Sequence, residues 1–393
     1  MKRRYRVAPA ALVALLGCAI VIGLGCKGNK DKAKADDEPA APFIKVGHVG
    51  HDHHLALYVA ALEGERFKND YGTYLKEIKS REIYDLVDGG KTLARLRFIK
   101  VGGGSRMPAA MSRGEIEIGL GGVAAVAKFA DRGEPFRIIG PLQTDGDMLV
   151  VRNDLPVEDW SAFVTTTKAP GKPLKIGYKA PVAVAKLIFE RALKEEGIPY
   201  SYDPADTEAR IILVNFGSEK SPIPLMEGKA IDGFVMNQPG VAVAVDKGLG
   251  KVIAELRDLP PEGKWVNHPC CCVSATERTI ATYPEIIKAF LKLIVLSTEL
   301  IKSDQALAID CASRWTKYDK AVEEASIPTI TYIAEPTDSW VAGMRTWCEM
   351  VTEIELFTGE YAGASPDEFV SDVCDLDLCR AAVKKLREKG LIP

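Results

Sequence analysis

Met111-Ser-Arg-Gly114-Glu-Ile-Glu-Ile-Gly119, in the first half of the chain, is matched in pattern by Leu225-Met-Glu-Gly228-Lys-Ala-Ile-Asp-Gly233 in the second. Each stretch predicts a helix end, a turn and a new strand. Gly114 and Gly228 stand where a positive φ stops a helix, and the apolar residue three before each, Met111 or Leu225, faces a sheet. Gly119 and Gly233, in the strand that follows, admit a close approach of backbone. Many α/β units end a helix with glycine. What the repetition adds is two lobes of similar build, and two lobes make a cleft.

Outward from the first phrase, strand and helix alternate. Ile44 to His48 predicts a short strand, and Leu55 to Leu62 a helix stopped at Gly64. Arg95 to Val101 is the next strand, running into Gly102-Gly-Gly-Ser105-Arg106, with Ser105 as a helix cap and Pro108 in the first turn. Ile116 to Leu120, Arg137 to Ile139 and Met148 to Val151 continue the series. Around the second phrase lie Leu174 to Tyr178, a helix from Val182 to Glu196, Ile211 to Phe216 and Val252-Ile253. Strand character returns from Trp265 to Ala275, and from Pro284 the residues Ile286, Phe290, Ile294 and Leu300 fall at helical spacing. The pattern predicts parallel, helix-flanked sheets. Crossing strands near Met148–Val151 and Cys270–Ser274 form the hinge, and ligands of such sheets sit beyond the strands' carboxyl ends.

The first residues have the form of an export signal: Lys2, Arg3, Arg4 and Arg6, then an apolar run from Val7 to Gly25. Cys18 and Cys26 both follow small residues, as in lipoprotein processing, and Cys26 stands where the apolar character stops, so it is the expected lipidated residue. An uncleaved anchor helix is the alternative, since the run approaches the roughly 20 residues that span a bilayer. Either way the rest is expected outside the cytoplasm. Residues 27–42, charged and without apolar periodicity, read as a tether. The expected organisation is a signal (1–26), a tether (27–42), a first lobe of 43–147 plus 274–393, and a second lobe of 148–273.

At 393 residues the chain is long enough for two domains, and a net charge of −3 with the two signs interspersed gives no reason to expect nucleic acid. The glycine turn lacks the Lys-Ser/Thr of a nucleotide loop, and no Gly-x-Ser-x-Gly elbow is present. Four of five histidines fall in His48-Val-Gly-His51-Asp-His53-His54, and His268 precedes Pro269 and Cys270-Cys271-Cys272. Imidazole and thiolate suit zinc and copper, which makes His48, His51, His268, Cys270, Cys271 and Cys272 candidate metal ligands. Neighbours on an extended chain point oppositely, so His53 and His54 share an ion only if the loop curls. Histidines that bond an anionic solute, solvated rings at a helix start and buried small cysteines are the competing readings. Cys374 with Cys379, and Cys311 with Cys348, are candidate disulfides.

Ile44-Lys-Val-Gly-His48, Leu57-Tyr-Val-Ala-Ala-Leu-Glu-Gly64, Gly104 to Gly122, Arg137-Ile-Ile-Gly140, and Ile231-Asp-Gly233 through Pro239 resemble, in that order, the nitrate, sulfonate and taurine solute-binding proteins of ABC importers. That family also holds the thiamine pyrimidine synthases. The resemblance covers roughly residues 43 to 300. It implies an α/β, two-lobed periplasmic-binding-protein clamshell with extra C-terminal helices. It also implies a monomeric, lipid-anchored protein outside the cytoplasm that captures a small, anionic solute and delivers it to a permease and ATPase, with no cofactor and no catalysis. The cysteine run resembles that of the synthases. Yet Gly121 and Ala125 stand where those enzymes carry a cofactor-binding lysine and a sacrificial histidine, and Ser274 replaces the run's last cysteine. Metal binding, a synthase-like enzyme and a sensor or structural lipoprotein are the alternatives. Strand ends and helix starts nominate His48, His51, Ser105, Arg106, Gly121, Gly122, Thr144, Asp145, Pro181, Val182, Asn237, Gln238 and His268 for the pocket. Arg106 is a candidate bidentate contact to an oxyanion, and a side chain that faces solvent is the competing reading.

Overall fold

The computed structural model describes residues 41–393. The export signal, Cys18, Cys26 and the tether as far as Ala40 lie outside the described residues. Among those described, the strands in chain order are β1 (Phe43–His48), β2 (Thr73–Lys79), β3 (Ile83–Asp88), β4 (Lys91–Lys100), β5 (Ile118–Gly122), β6 (Phe136–Asp145), β7 (Asp147–Arg152), β8 (Leu174–Tyr178), β9 (Tyr200–Ser201), β10 (Ile211–Asn215), β11 (Gly233–Asn237), β12 (Gly250–Glu255), β13 (Pro269–Thr276) and β14 (Ile330–Tyr332). They form two sheets, one ordered β14-β6-β13-β5-β1-β4-β3-β2 and the other β12-β7-β11-β8-β10-β9. This is the two-lobed α/β architecture expected from the alternation and the resemblance.

Parallel pairing is found at the centre of each sheet, between β1 and its neighbours β4 and β5 and between β8 and its neighbours β10 and β11. The rest of the first sheet is antiparallel: short connections dictate this for β2, β3 and β4, whereas β13 and β14 pair with β5 and β6 from far along the chain. β2, β3 and β4 form a meander, not expected from the sequence. Gly89 and Gly90 both take positive φ between β3 and β4, the double left-handed turn that glycine pairs favour.

The repeated phrase ends its two helices differently. Gly114 is left-handed at φ +69°, and Glu115 N–H closes back on the Ala110 carbonyl at 3.0 Å. In the second copy Gly228 stays at φ −79°, and Lys229 takes the left-handed position at +51°. The helix therefore runs one residue further, which rotates its buried face by about 100°. Met226 is buried in place of Leu225, which is only half-buried.

Helix Leu55–Leu62 is apolar around its circumference and buried, because it lies between the first sheet and the helices Pro284–Ser303 and Gln305–Thr316. Tyr58 stacks on Trp315 with ring centres 4.5 Å apart. The chain passes between sheets twice. Asp145 and Gly146, both at positive φ, turn β6 sharply into β7. The return from β12 runs through residues 256–268 into β13. His268 ties the two passages together: its Nδ1 lies 3.5 Å from Asp145 and its Nε2 3.3 Å from Asp147.

All seven cysteines among the described residues are free thiols, which corrects both expected disulfides. Cys379 packs against Gly140, and the Cys374 backbone forms an isolated bridge with Ile138, so both residues help to fasten the C-terminal helices to β6. Cys311 Sγ lies 3.7 Å from Glu63 Oε1, and Cys348 is buried in a separate helix, Asp338–Glu353. No helix among the described residues is long and apolar enough to cross a membrane.

Candidate functional site

The carboxyl ends of β1, β4, β8 and β10 carry the loops that meet between the sheets, and there they line a cavity of about 70 Å³. It opens into a wider cleft of about 510 Å³ bounded by Gly50, Lys100 and Pro239. The first sheet contributes His51, His53, Ser105, Gly122, Cys270 and Cys271; the second contributes Lys179, Val182, Ser218, Met236 and Asn237. The two helices Val123–Ala130 and Val184–Glu195 begin at its wall, with Gly122 and Ala183 as caps that offer no side-chain acceptor. Their first N–H groups present the positive ends of the helix dipoles.

Of the residues nominated from the sequence, His51, Ser105, Gly122, Val182 and Asn237 line this cavity, and Gln238 lines the cleft. Gly121 lies behind the wall, where a Cβ would come within 3.1 Å of the Gly104 carbonyl. His48 is a core residue: its Nδ1 meets the Tyr58 hydroxyl at 3.3 Å and its ring sits among Phe98 and Trp315. Burial, then the neighbouring His54 and Lys100, lowers its pKa to about 3. Thr144 and Asp145 are buried at the sheet crossing, where Asp145 accepts from Thr331 at 3.0 Å. Pro181 is exposed. His268 also belongs to the crossing; burial opposes its charge, but the bond to Asp147 and the two carboxylates together raise its pKa. Ser105 does not cap a helix. Its hydroxyl lies 3.0 Å from that of Ser218, and Arg106, more than half exposed, pairs with Glu219. Arg106 thus bridges the lobes at the rim and does not face the cavity.

Lys179 was not foreseen, although it directly follows β8 and obeys the strand-end rule that nominated Pro181 and Val182. Its Nζ donates to Asn237 Oδ1 at 3.0 Å. Burial lowers its pKa to about 8, against the attraction of Asp147, Cys271 and Cys270.

The histidine loop does curl. Asp52–His54 is a 3₁₀ turn, which brings His53 and His54, both buried, to the cysteine wall. The pairing of β13 with β6 shifts register at Cys271, so Cys270 and Cys271 line the same cavity instead of facing opposite sides. Cys272 points away, toward the Gly121 carbonyl. His53 Nδ1 lies 3.5 Å from Cys270 Sγ and 4.0 Å from Cys271 Sγ. His51, His54 and Cys271 form a second group with ligand atoms within 4.8 Å of one another. The Cys270 thiol, joined by His53 and His54, holds the Cys271 thiol well below the ordinary cysteine range despite burial. His48, His268 and Cys272 stand outside both groups.

A model of the NMT1-like family matches residues 37–314. The chain belongs to the NMT1-like family. An uncharacterized protein of Methanocaldococcus jannaschii is 33% identical over 135 residues, 34% of this chain and 88% of its own length. Among solved structures, the ligand-binding component of an ABC-type import system from Staphylococcus aureus, with zinc bound, superposes at a TM-score of 0.66 and 15% identity, covering 87% of this chain and 99% of that one. The periplasmic nitrate-binding protein of Synechocystis gives 0.66 at 15%, covering 90% and 91%. The alkanesulfonate-binding protein of Xanthomonas axonopodis, bound to MOPS, gives 0.58 at 12%, covering 81% and 96%. At such identities the likeness is one of fold, and it is the fold of periplasmic binding proteins.

Proposed function

We propose that this member of the NMT1-like family is the extracytoplasmic solute-binding component of an ABC importer, closing its two lobes over a small anionic solute for delivery to a permease. The observation that carries the reading is the cavity walled by both sheets, lined by Lys179 and by two helix starts without side-chain caps. Free N–H groups and a lysine stabilise negative charge, and only a ligand that prefers the closed arrangement shifts the lobes toward it. The solved structures with this fold include nitrate- and alkanesulfonate-binding proteins, which supports the same class of ligand here. Lipidation at Cys26 and the tether to residue 42 fit a soluble body held at a membrane surface, and the hinge would lie where His268 joins Asp145 and Asp147. The absence of the lysine and histidine of the synthases at Gly121 and Ala125 favours binding over catalysis.

A thermal-shift panel of nitrate, bicarbonate, methanesulfonate and taurine tests this on the full chain. Stabilisation by at least one anion, lost in Lys179→Met, is the expected result. A flat response to the whole panel contradicts it.

A further inference from the structure

The cavity that serves solute capture also has a floor of sulfur and imidazole whose chemistry an anion site does not require. Cys270 and Cys271 come from β13, and His53 from the turn after β1, 217 positions away from Cys270. All three are at least nine-tenths buried. The register shift in β13 is what turns two consecutive thiols to one wall, and the 3₁₀ turn is what brings His53 to meet them.

The spacing is that of ligands around one ion. Metal bonds of about 2.3 Å to sulfur and about 2.0–2.1 Å to nitrogen, at tetrahedral angles, hold N and S roughly 3.6 Å apart. The observed separations from His53 Nδ1 are 3.5 and 4.0 Å. His51 lies on the open side. It lines the cavity, its Nδ1 is buried without a partner, and it shares a group with Cys271. His54 has another task. Its Nδ1 accepts the Val49 N–H at 3.1 Å, which places its proton on Nε2, itself without a partner and beside Cys271. That makes His54 a donor to a ligand sulfur, the kind of outer contact that steadies metal sites. The Gln143 amide nitrogen is hydrogen-bonded to His53 Nδ1, so an ion at this atom would take the place of that contact.

We infer that the floor of the cavity is a binding site for a thiophilic metal ion, zinc or copper(I), held by His53, Cys270 and Cys271 with His51 completing the set from the cavity side. Two thiolates and imidazole select such ions over magnesium or calcium, which take oxygen ligands. The inference rests on the reading of the cavity as the capture site and places the ion in the same chamber as the solute.

The test is titration of the full chain, purified without chelator and kept reduced, with Zn²⁺ by calorimetry, and with Co²⁺ as an optical probe of thiolate ligation. One ion per chain and a thiolate-to-cobalt charge-transfer band are expected. Cys271→Ser and His53→Gln should each weaken zinc by more than the roughly 10–100-fold typical of losing an outer partner. Cys272→Ser, whose sulfur faces the other way, should bind as the parent does and shows that serine in this strand is tolerated. No zinc uptake, or unchanged affinity in a folded Cys271→Ser protein, overturns the inference. If zinc fails while an anion still stabilises the chain, the capture reading stands and the metal site falls. If zinc and the cobalt band appear but no anion stabilises the chain, the metal site stands and the anion reading falls.

Discussion

Ser105 Oγ lies 3.0 Å from Ser218 Oγ, a contact between residues 113 positions apart that joins the loop after β4 to the loop after β10 and closes the rim of the cavity. The approach depends on the glycines before Ser105. A Cβ on Gly103 would lie 2.6 Å from Ser218 Cβ, and one on Gly102 would displace the Glu219 side chain. The glycine turn serves lobe contact.

Gly103→Ala therefore strains the closed arrangement and, at φ +139°, the local backbone as well. Overpacking costs about 1–3 kcal/mol. Borne by the closed form alone, this lowers affinity for the best anion of the panel by roughly five- to 150-fold, measured by calorimetry. An unchanged affinity would show that the rim does not take part in capture.

Arg106→Ala is expected to change anion affinity by only a few-fold, because an exposed pair such as Arg106–Glu219 contributes about 0–1 kcal/mol. The sequence nominates this arginine as a solute contact, with solvent exposure as the competing reading. A loss beyond tenfold would put it back there.

Anion affinity should fall as pH rises through about 8, the range in which Lys179 loses its proton. Bound anion favours the protonated form, so the midpoint moves upward in the complex. Asp147, Cys270, Cys271 and His51 face the same lysine and set where the transition falls. Without solute the sign reverses: a lysine lowered from 10.5 costs stability while charged, and that cost disappears between about 8 and 10.5. Lys179→Met should flatten both profiles between pH 7 and 9.5; a profile that persists assigns the dependence to another group.

The C-terminal segment is fixed by a buried carboxylate. Asp131 accepts the N–H groups of Thr358, Gly359 and Tyr361 at 2.9–3.1 Å. Asp131→Ala leaves these donors unmet and should lower unfolding free energy by about 3 kcal/mol in urea titrations. A change under about 0.5 kcal/mol would mean the loop finds other partners.

Periodicity made the lobes legible. Helix Leu55–Leu62 and strand Leu174–Tyr178 were read to the residue, because an apolar run ended by glycine, or bounded by lysine and proline, leaves little choice. The meander of β2 and β3 was missed, although Gly89-Gly90 signals its turn. Lys179 shares the strand end that nominates Pro181 and Val182, and residue type alone does not separate a pocket lysine from a solvated one. The proposed metal floor is legible in part: residue type marks His51, Cys270 and Cys271 as candidate ligands, but the choice of His53 over His48 and His268, and the exclusion of Cys272, depend on a register shift at Cys271 and a 3₁₀ turn at His53, and neither leaves a mark in residue spacing. For the same reason Arg106 and His268 were placed in the pocket: strand ends were identified correctly, but which way each side chain leaves them is set by tertiary packing.

The most direct measurement is a crystal structure of the full chain with the most stabilising anion of the panel. The account expects the anion between the sheets, within hydrogen-bonding reach of Lys179 and of the helix start at Ala183. An anion held on one lobe's outer face, or in the cleft beyond Lys100 with the inner cavity empty, would contradict it.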